Sequence, residues 1–319
     1  MRSYHILFMI NMLGDFYFRE GKMGMEIKRF SDFSAAQLTQ LWNDGFKGYA
    51  TDMTLSVDAF IKRIPDNHLS MEDSIVLCED GQAVGFVMSG FRVVDGRLTA
   101  WNGGTGIIPE YRGKGYGRAL IGAALDVYRE KGAEIALLEA LSQNEPAIRL
   151  YSKMGYQIID KLRFYEQKEG FQPEVFASDA SHTYQFRFGL PQDLQALRLP
   201  AESMPWQTQW ENIAGGESVV AADANGQVAG YALYKRAFDI NGEHNATNLY
   251  QCRVVKAEEE QAPELLKALL AHVYAPLEKK VLRRTVNLPL SQEPLVRVLE
   301  AAGFQPWIDQ VHMKCVLKA

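Results

Sequence analysis

Turn signals in the first half of the chain recur, in the same order, in the second. Asp80-Gly81 opens the run Gly81-Gln82-Ala83-Val84-Gly85, echoed 145 residues on by Gly226-Gln227-Val228-Ala229-Gly230 after Asn225. Asp95-Gly96 is echoed at a shift of 146 by Asn241-Gly242, and Gly155-Tyr156 at a shift of 148 by Gly303-Phe304. Landmarks at a nearly constant period mark a duplicated unit, and 319 residues suit two units of ordinary domain size. The expected organisation is therefore one copy over 25–169, a linker over 170–182 where hydrophobic periodicity lapses, and a second copy over 183–319. Residues 1–24 read as a non-native extension. The apolar stretch Tyr4–Leu13 has one positive charge before it and no small-residue cleavage site, which argues against a secretory leader. Arg19-Glu20-Gly21 is encodable by a purine run resembling a ribosome-binding site, just ahead of Met23 and Met25.

Within the first copy, Asp-Gly between alternating apolar runs predicts tight hairpins, because both turn residues must adopt positive φ. The order reads as a strand from Met25, helices near Ala35–Asn43 and Val57–Ile64, and a hairpin meander. An amphipathic helix over Gly117–Lys131 follows, then a strand over Glu134–Leu141, a short helix over Glu145–Met154 and closing strands. With 34 basic and 39 acidic residues the net charge is −5, so no global field gathers nucleic acid or acidic lipid. No apolar run reaches the ~18 residues of a membrane span. Cys78, Cys252 and Cys315 are too scattered for a disulfide framework or a metal site; they read as buried thiols in a reducing cytoplasm.

The most informative segment is Ile107-Ile108-Pro109-Glu110-Tyr111-Arg112-Gly113-Lys114-Gly115-Tyr116-Gly117-Arg118. It joins a strand to a helix, so backbone N–H groups and the positive end of the helix dipole converge on one point suited to an anion. Glycines let the backbone approach a diphosphate and turn successive N–H groups inward. A dinucleotide fingerprint starting at Gly113 needs glycine where Arg118 stands, and a P-loop needs Ser or Thr where Gly115 stands. What matches is Arg-x-x-Gly-x-Gly, as Arg112, Gly115 and Gly117, and here the sequence resembles the GNAT superfamily of acyl-coenzyme A N-acyltransferases. Asn144-Glu145-Pro146-Ala147-Ile148-Arg149-Leu150-Tyr151-Ser152-Lys153-Met154-Gly155-Tyr156 resembles the family's second motif.

The resemblance implies an α/β (α+β) fold of two tandem domains, each a mixed, mostly antiparallel twisted sheet flanked by helices. It implies acetyl-coenzyme A as cosubstrate, no metal, and direct transfer of acetyl to an amine of a small molecule or peptide. Arg112, Gly113, Lys114, Gly115, Tyr116, Gly117 and Arg118 would hold the pyrophosphate, Gly106, Ile107 and Ile108 would pair with the pantetheine amides, and Asn144 would face the pantetheine arm. Tyr151 would be the general acid toward the departing thiolate, a role that a nearby phenol suits chemically; packing in the core is its plainer reading. Glu139 resembles the base of ribosomal-protein alanine acetyltransferases, and a hydrogen-bonding strand residue is the alternative. The acceptor pocket is expected near Trp42, Phe46, Tyr49 and Thr51–Thr54, although aromatics there are more often simple packing than substrate contacts. The assembly is left open between monomer and homodimer. A rival reading is a coenzyme A-responsive binding or scaffold protein, supported by the lack of a carboxylate in Trp101-Asn102-Gly103-Gly104.

In the second copy the register places Pro263 and Leu265 opposite Gly115 and Gly117, Leu299 opposite Tyr151 and Gln292 opposite Asn144, with Glu258, Glu259 and Glu260 where a diphosphate would approach. This copy reads as a degenerate shell. Met204–Trp210 reads as core aromatics or as a surface against the first copy, and the histidines, His312 among them, as structural or exposed.

Overall fold

The computed structural model describes residues 24–199, 204–256 and 261–317. The extension, apart from Gly24, and the run Glu258–Glu260 lie outside the described residues. The first half comprises β1 (Met25–Arg29), α1 (Ala35–Gly45), α2 (Val57–Asp66), β2 (Leu69–Glu79), β3 (Gln82–Val94) and β4 (Arg97–Ile107). It continues with α3 (Tyr116–Glu130), β5 (Ile135–Leu141), α4 (Glu145–Lys153) and β6 (Gln157–Gln167). The second half, after the short α5 (Ala180–Thr183), repeats the strand order with β7 (Gln185–Gly189), β8 (Glu217–Ala222), β9 (Val228–Phe238) and β10 (His244–Val254); among the described residues only 3-10 turns stand between β7 and β8 where the first half has α1 and α2. It ends with α6 (Ala262–Tyr274), β11 (Leu282–Thr285), β12 (Leu288–Pro289), α7 (Glu293–Ala301) and β13 (Gln305–Val316).

Local chemistry explains the elements. Ser34 and Ser56 cap α1 and α2, each accepting from a backbone N–H three residues on. Asp80 and Gly81, like Asp95 and Gly96, all take positive φ, as two-residue hairpin turns require. The Asn-Gly echoes close differently. In each only the glycine has positive φ, and an aspartate two residues before the asparagine, Asp223 or Asp239, accepts from the backbone of Asn225 and Gln227 or of Asn241 and Glu243. The linker is not loose: Phe171 and Phe176 are buried in the core of the second half. Arg283, fully buried, ties it down by donating to the carbonyls of Glu169, Tyr274, Pro276 and Leu277.

Among the described residues, thirteen strands form one sheet, ordered β1-β2-β3-β4-β5-β13-β6-β11-β10-β9-β8-β7, with β12 on β6. The two halves exchange their closing strands. β13 pairs with β5 of the first half from Gln310↔Leu141 to Val316↔Ile135, while β6 pairs with β11 and β12 of the second. Val311, Met313, Cys315 and Leu317 consequently lie in the first core, and Tyr165 of β6 in the second. Each such apolar side chain contributes roughly 1.5–3 kcal/mol when fully buried, so each half is stabilised by the other's last strand.

Candidate active site

β4 and β5 run parallel only from Thr99↔Ile135 to Asn102↔Leu138. Beyond that point they part: β4 bulges at Gly103 and stays with β3 to Ile107, whereas β5 stays with β13. The result is a fork with an unpaired edge on β4. Ile108 donates its N–H to Val84 O, so by strand alternation the Ile107 N–H faces the open edge. Gly106 is paired opposite Phe86 on β3.

Past the fork, Gly113 (φ +74°) and Gly115 (φ +91°) turn the chain into α3, and a Cβ at either would meet open space, so conformation alone calls for glycine. Gly115 is the N-cap and no side chain caps the helix, which leaves its first N–H groups to an outside acceptor. Gly117 serves close approach: a Cβ there would lie 2.9 Å from Leu150 of α4. Lys114 and Arg118 are exposed on this turn, and Lys114 Nζ lies 5.2 Å from the Tyr111 ring centre. Tyr116 points the other way, into the core, with its hydroxyl on Glu79.

Arg112 differs from its expected place at the pyrophosphate. Its guanidinium donates to three carbonyls, Ile107 (2.9 Å), Gly45 (3.0 Å) and Lys47 (2.8 Å). It pins the C-terminus of α1 to the end of β4, where carbonyls at the negative end of the helix favour a cation.

Asn144 caps α4, accepting from the Ala147 N–H at 3.3 Å, and hydrogen-bonds with the Tyr49 hydroxyl. One helix face along, Tyr151 is buried, with its phenol toward Thr105 of β4 and Tyr49. Burial raises its pKa to about 12, the Thr105 hydrogen bond opposing. Thr105 is itself held by Asn102, at 2.8 Å. Glu139 is the first β5 residue past the fork, on the opposite face of the sheet. Trp101 Nε1 donates to its carboxylate at 2.7 Å, and burial raises its pKa to about 7, against the pull of Trp101 and the Trp206 backbone. A buried carboxyl on one side of a fork and a buried phenol on the other are placed to take a proton from one group and give one to another.

At Trp42 the structure shows packing, the commoner role for an aromatic in this region. That ring is 1% exposed, stacked on Phe86 at 5.5 Å, and its Nε1 donates to Met53 O, so it is core. The sheet face carrying Glu139 is instead covered by residues of the second half. Trp206 stacks on Trp101 (5.6 Å, 6° between planes), Arg92 lies 4.0 Å over Trp206, and Trp206 Nε1 reaches Asn67 O. The segment around Trp206 is thus a surface against the first copy. Sequence reasoning missed the Tyr49–Thr105 pair at Tyr151 and the position of His312 beside Glu139, since neither pair has any sequence proximity. In the second half the cradle is replaced: Pro263 occupies the first turn of α6, Leu265 and Leu299 are fully buried, and Gln292 caps α7 without a side-chain hydrogen bond.

Against this geometry, the sequence profile of the Acetyltransferase (GNAT) family matches residues 35–156. Residues 35–156 of the first half thus match the GNAT acetyltransferase domain. The chain is 39% identical to the streptothricin acetyltransferase of Streptomyces lavendulae over 77 residues, covering 24% of this chain and 40% of that protein. It is 25% identical to the mycothiol acetyltransferase of Propionibacterium freudenreichii subsp. shermanii over 174 residues, 54% of this chain and 53% of that protein. The chain thus spans about half or less of these relatives' lengths. Among solved structures, a tandem GNAT protein from the clavulanic acid biosynthesis pathway superposes with a TM-score of 0.59 at 17% identity, covering 92% of this chain and 99% of that one. Fold and motif therefore agree: two units of GNAT-like fold in one chain, with the glycine turn, fork and α4 of the first unit inside the matched region.

Proposed function

We propose that the chain is an acetyl-coenzyme A-dependent N-acetyltransferase whose one working site lies in the first half, residues 25–169, the second half (183–319) serving as a degenerate partner domain. The observation that carries this reading is the fork between β4 and β5, with an uncapped glycine-led helix start beyond it and Tyr151 and Glu139 on its two faces. The cradle suits the coenzyme: Gly113, Gly115, Tyr116 and Gly117 offer backbone N–H groups to a diphosphate, and Lys114 and Arg118 add charge. The open edge at Ile107 and the Asn144 amide fit a chain of amides laid along β4 as an added strand. Bound there, acetyl-coenzyme A supplies an activated acyl group and a thiol leaving group.

The residues divide the remaining work. Glu139, with a pKa near neutrality, takes a proton from the acceptor's ammonium so that the nitrogen carries a free electron pair. Tyr151 holds its proton at the phenol until a thiolate develops beside it, since burial disfavours the phenolate. The acceptor is an amine of a small molecule or peptide. Thiol release from acetyl-coenzyme A, measured with lysine, spermidine, glucosamine and an alanine-started peptide, tests the assignment. Tyr151→Phe should lower kcat by about 10²-fold or more with donor affinity kept. Tight donor binding with no turnover across the panel would overturn it.

A further inference from the structure

Glu139 has a partner from the other half of the chain. β13 pairs with β5 in the register His312↔Glu139, which puts both side chains on the same face, and His312 Nε2 lies 3.8 Å from Glu139 Oε1. His312 is fully buried (0% exposed), and the Glu139 side chain is 6% exposed. Among the described residues, neither ring nitrogen of His312 nor Oε1 of Glu139 has a hydrogen-bond partner. Two buried polar groups left facing each other cost roughly 1–3 kcal/mol apiece, and such an arrangement calls for an explanation beyond packing.

We propose that His312 is a positioning residue for acyl transfer, its imidazole receiving as a hydrogen bond the proton that Glu139 takes from the acceptor amine. This rests on reading Glu139 as the base. In the step, an N–H bond of the ammonium breaks, its electron pair stays on nitrogen for attack, and an O–H bond forms at Oε1. That new O–H then points at Nε2, the 3.8 Å gap closes to hydrogen-bond distance, and the proton leaves to water after product departure. For this His312 must be neutral. Burial lowers its pKa to about 4, with Asp160 of β6 pulling up and Lys314 of β13 pushing down. Around Glu139 stand Trp101 of β4 and the Trp206 backbone, and behind Lys314 stands Arg97. At neutral pH the pair therefore has one exchanging proton, on the carboxyl, and an uncharged acceptor opposite. The strand exchange makes the site composite: the second half has lost its own cradle and supplies this residue to the first.

The test uses the full chain. In wild-type protein labelled with ¹⁵N-histidine, the His312 Nε2 resonance should move with a midpoint near pH 7 while remaining in the neutral-imidazole range, and Glu139→Gln should abolish the movement. An Nε2 resonance flat between pH 5.5 and 8.5 would overturn the proposal without any substitution. On whichever of the four amines turns over, His312→Phe, lacking an acceptor, should move the acidic limb of kcat/KM down by about one pH unit and lower the plateau about tenfold. His312→Gln, which restores an acceptor oxygen, should recover most of both. A limb unmoved in a folded His312→Phe variant defeats the pairing. A limb that survives Glu139→Gln instead defeats the choice of base, so the two failures are distinct.

Discussion

Arg112→Ala separates a ligand contact from a structural pin. In the structure the guanidinium makes three hydrogen bonds to backbone carbonyls, joining the loop after α1 to the end of β4. Hydrogen bonds from a charged donor contribute about 1.5–3 kcal/mol when buried, but two of these three are solvent-exposed, which scales them toward 0.5 kcal/mol each. The whole pin then stabilises the protein by about 2 kcal/mol. For a cooperative unit of this size about 2 °C is lost per kcal/mol, so Arg112→Ala should lower the Tm of the ligand-free protein by about 4 °C. Calorimetric unfolding without and with acetyl-coenzyme A reads both effects. The variant should also bind the donor more weakly, because the freed Ile107 carbonyl no longer holds the open edge of β4 in place. If the ligand-free Tm is unchanged while donor affinity collapses, the guanidinium acts on the diphosphate itself and the pin is wrong.

Gly115→Ala forces a side chain into left-handed backbone, at about 1–2 kcal/mol, with no clash around it; isothermal calorimetry should show weaker donor binding and circular dichroism an intact fold. Glu139 titrates near 7 in the folded protein, above its ordinary value, so it binds its proton more tightly folded than unfolded. Its contribution is fully present below about pH 4.5 and is lost as pH rises through 7, amounting to about 3 kcal/mol at 1.36 kcal/mol per unit. Urea unfolding should therefore show Glu139→Gln gaining on wild type from pH 5 to pH 8; a constant difference would refute the shift. A fragment ending at residue 182 lacks β13, leaving the β5 edge unpaired and four apolar positions of the first core empty. It should aggregate or remain unfolded by circular dichroism, and a monomeric, cooperatively folding fragment would contradict the exchange as a source of stability.

Much of the site could be read from spacing because its pieces are local. The glycine turn, the helix it starts, the cap at Asn144 and Tyr151 on the same short helix are each decided within a dozen residues, by positive φ, capping and helical period. The duplication was equally legible, since turn residues recur wherever the chain must reverse, although the Asn-Gly turns closed with a different geometry once Asp223 and Asp239 joined them. Only the tertiary structure decided which half each closing strand completes. Strand pairing is made of backbone hydrogen bonds common to every residue type, so local sequence pattern does not say which half's β5 edge β13 will join. From that one choice follows the burial of His312 beside Glu139, across 173 residues of sequence; the stacking of Trp206 on Trp101 is a second tertiary contact between the halves.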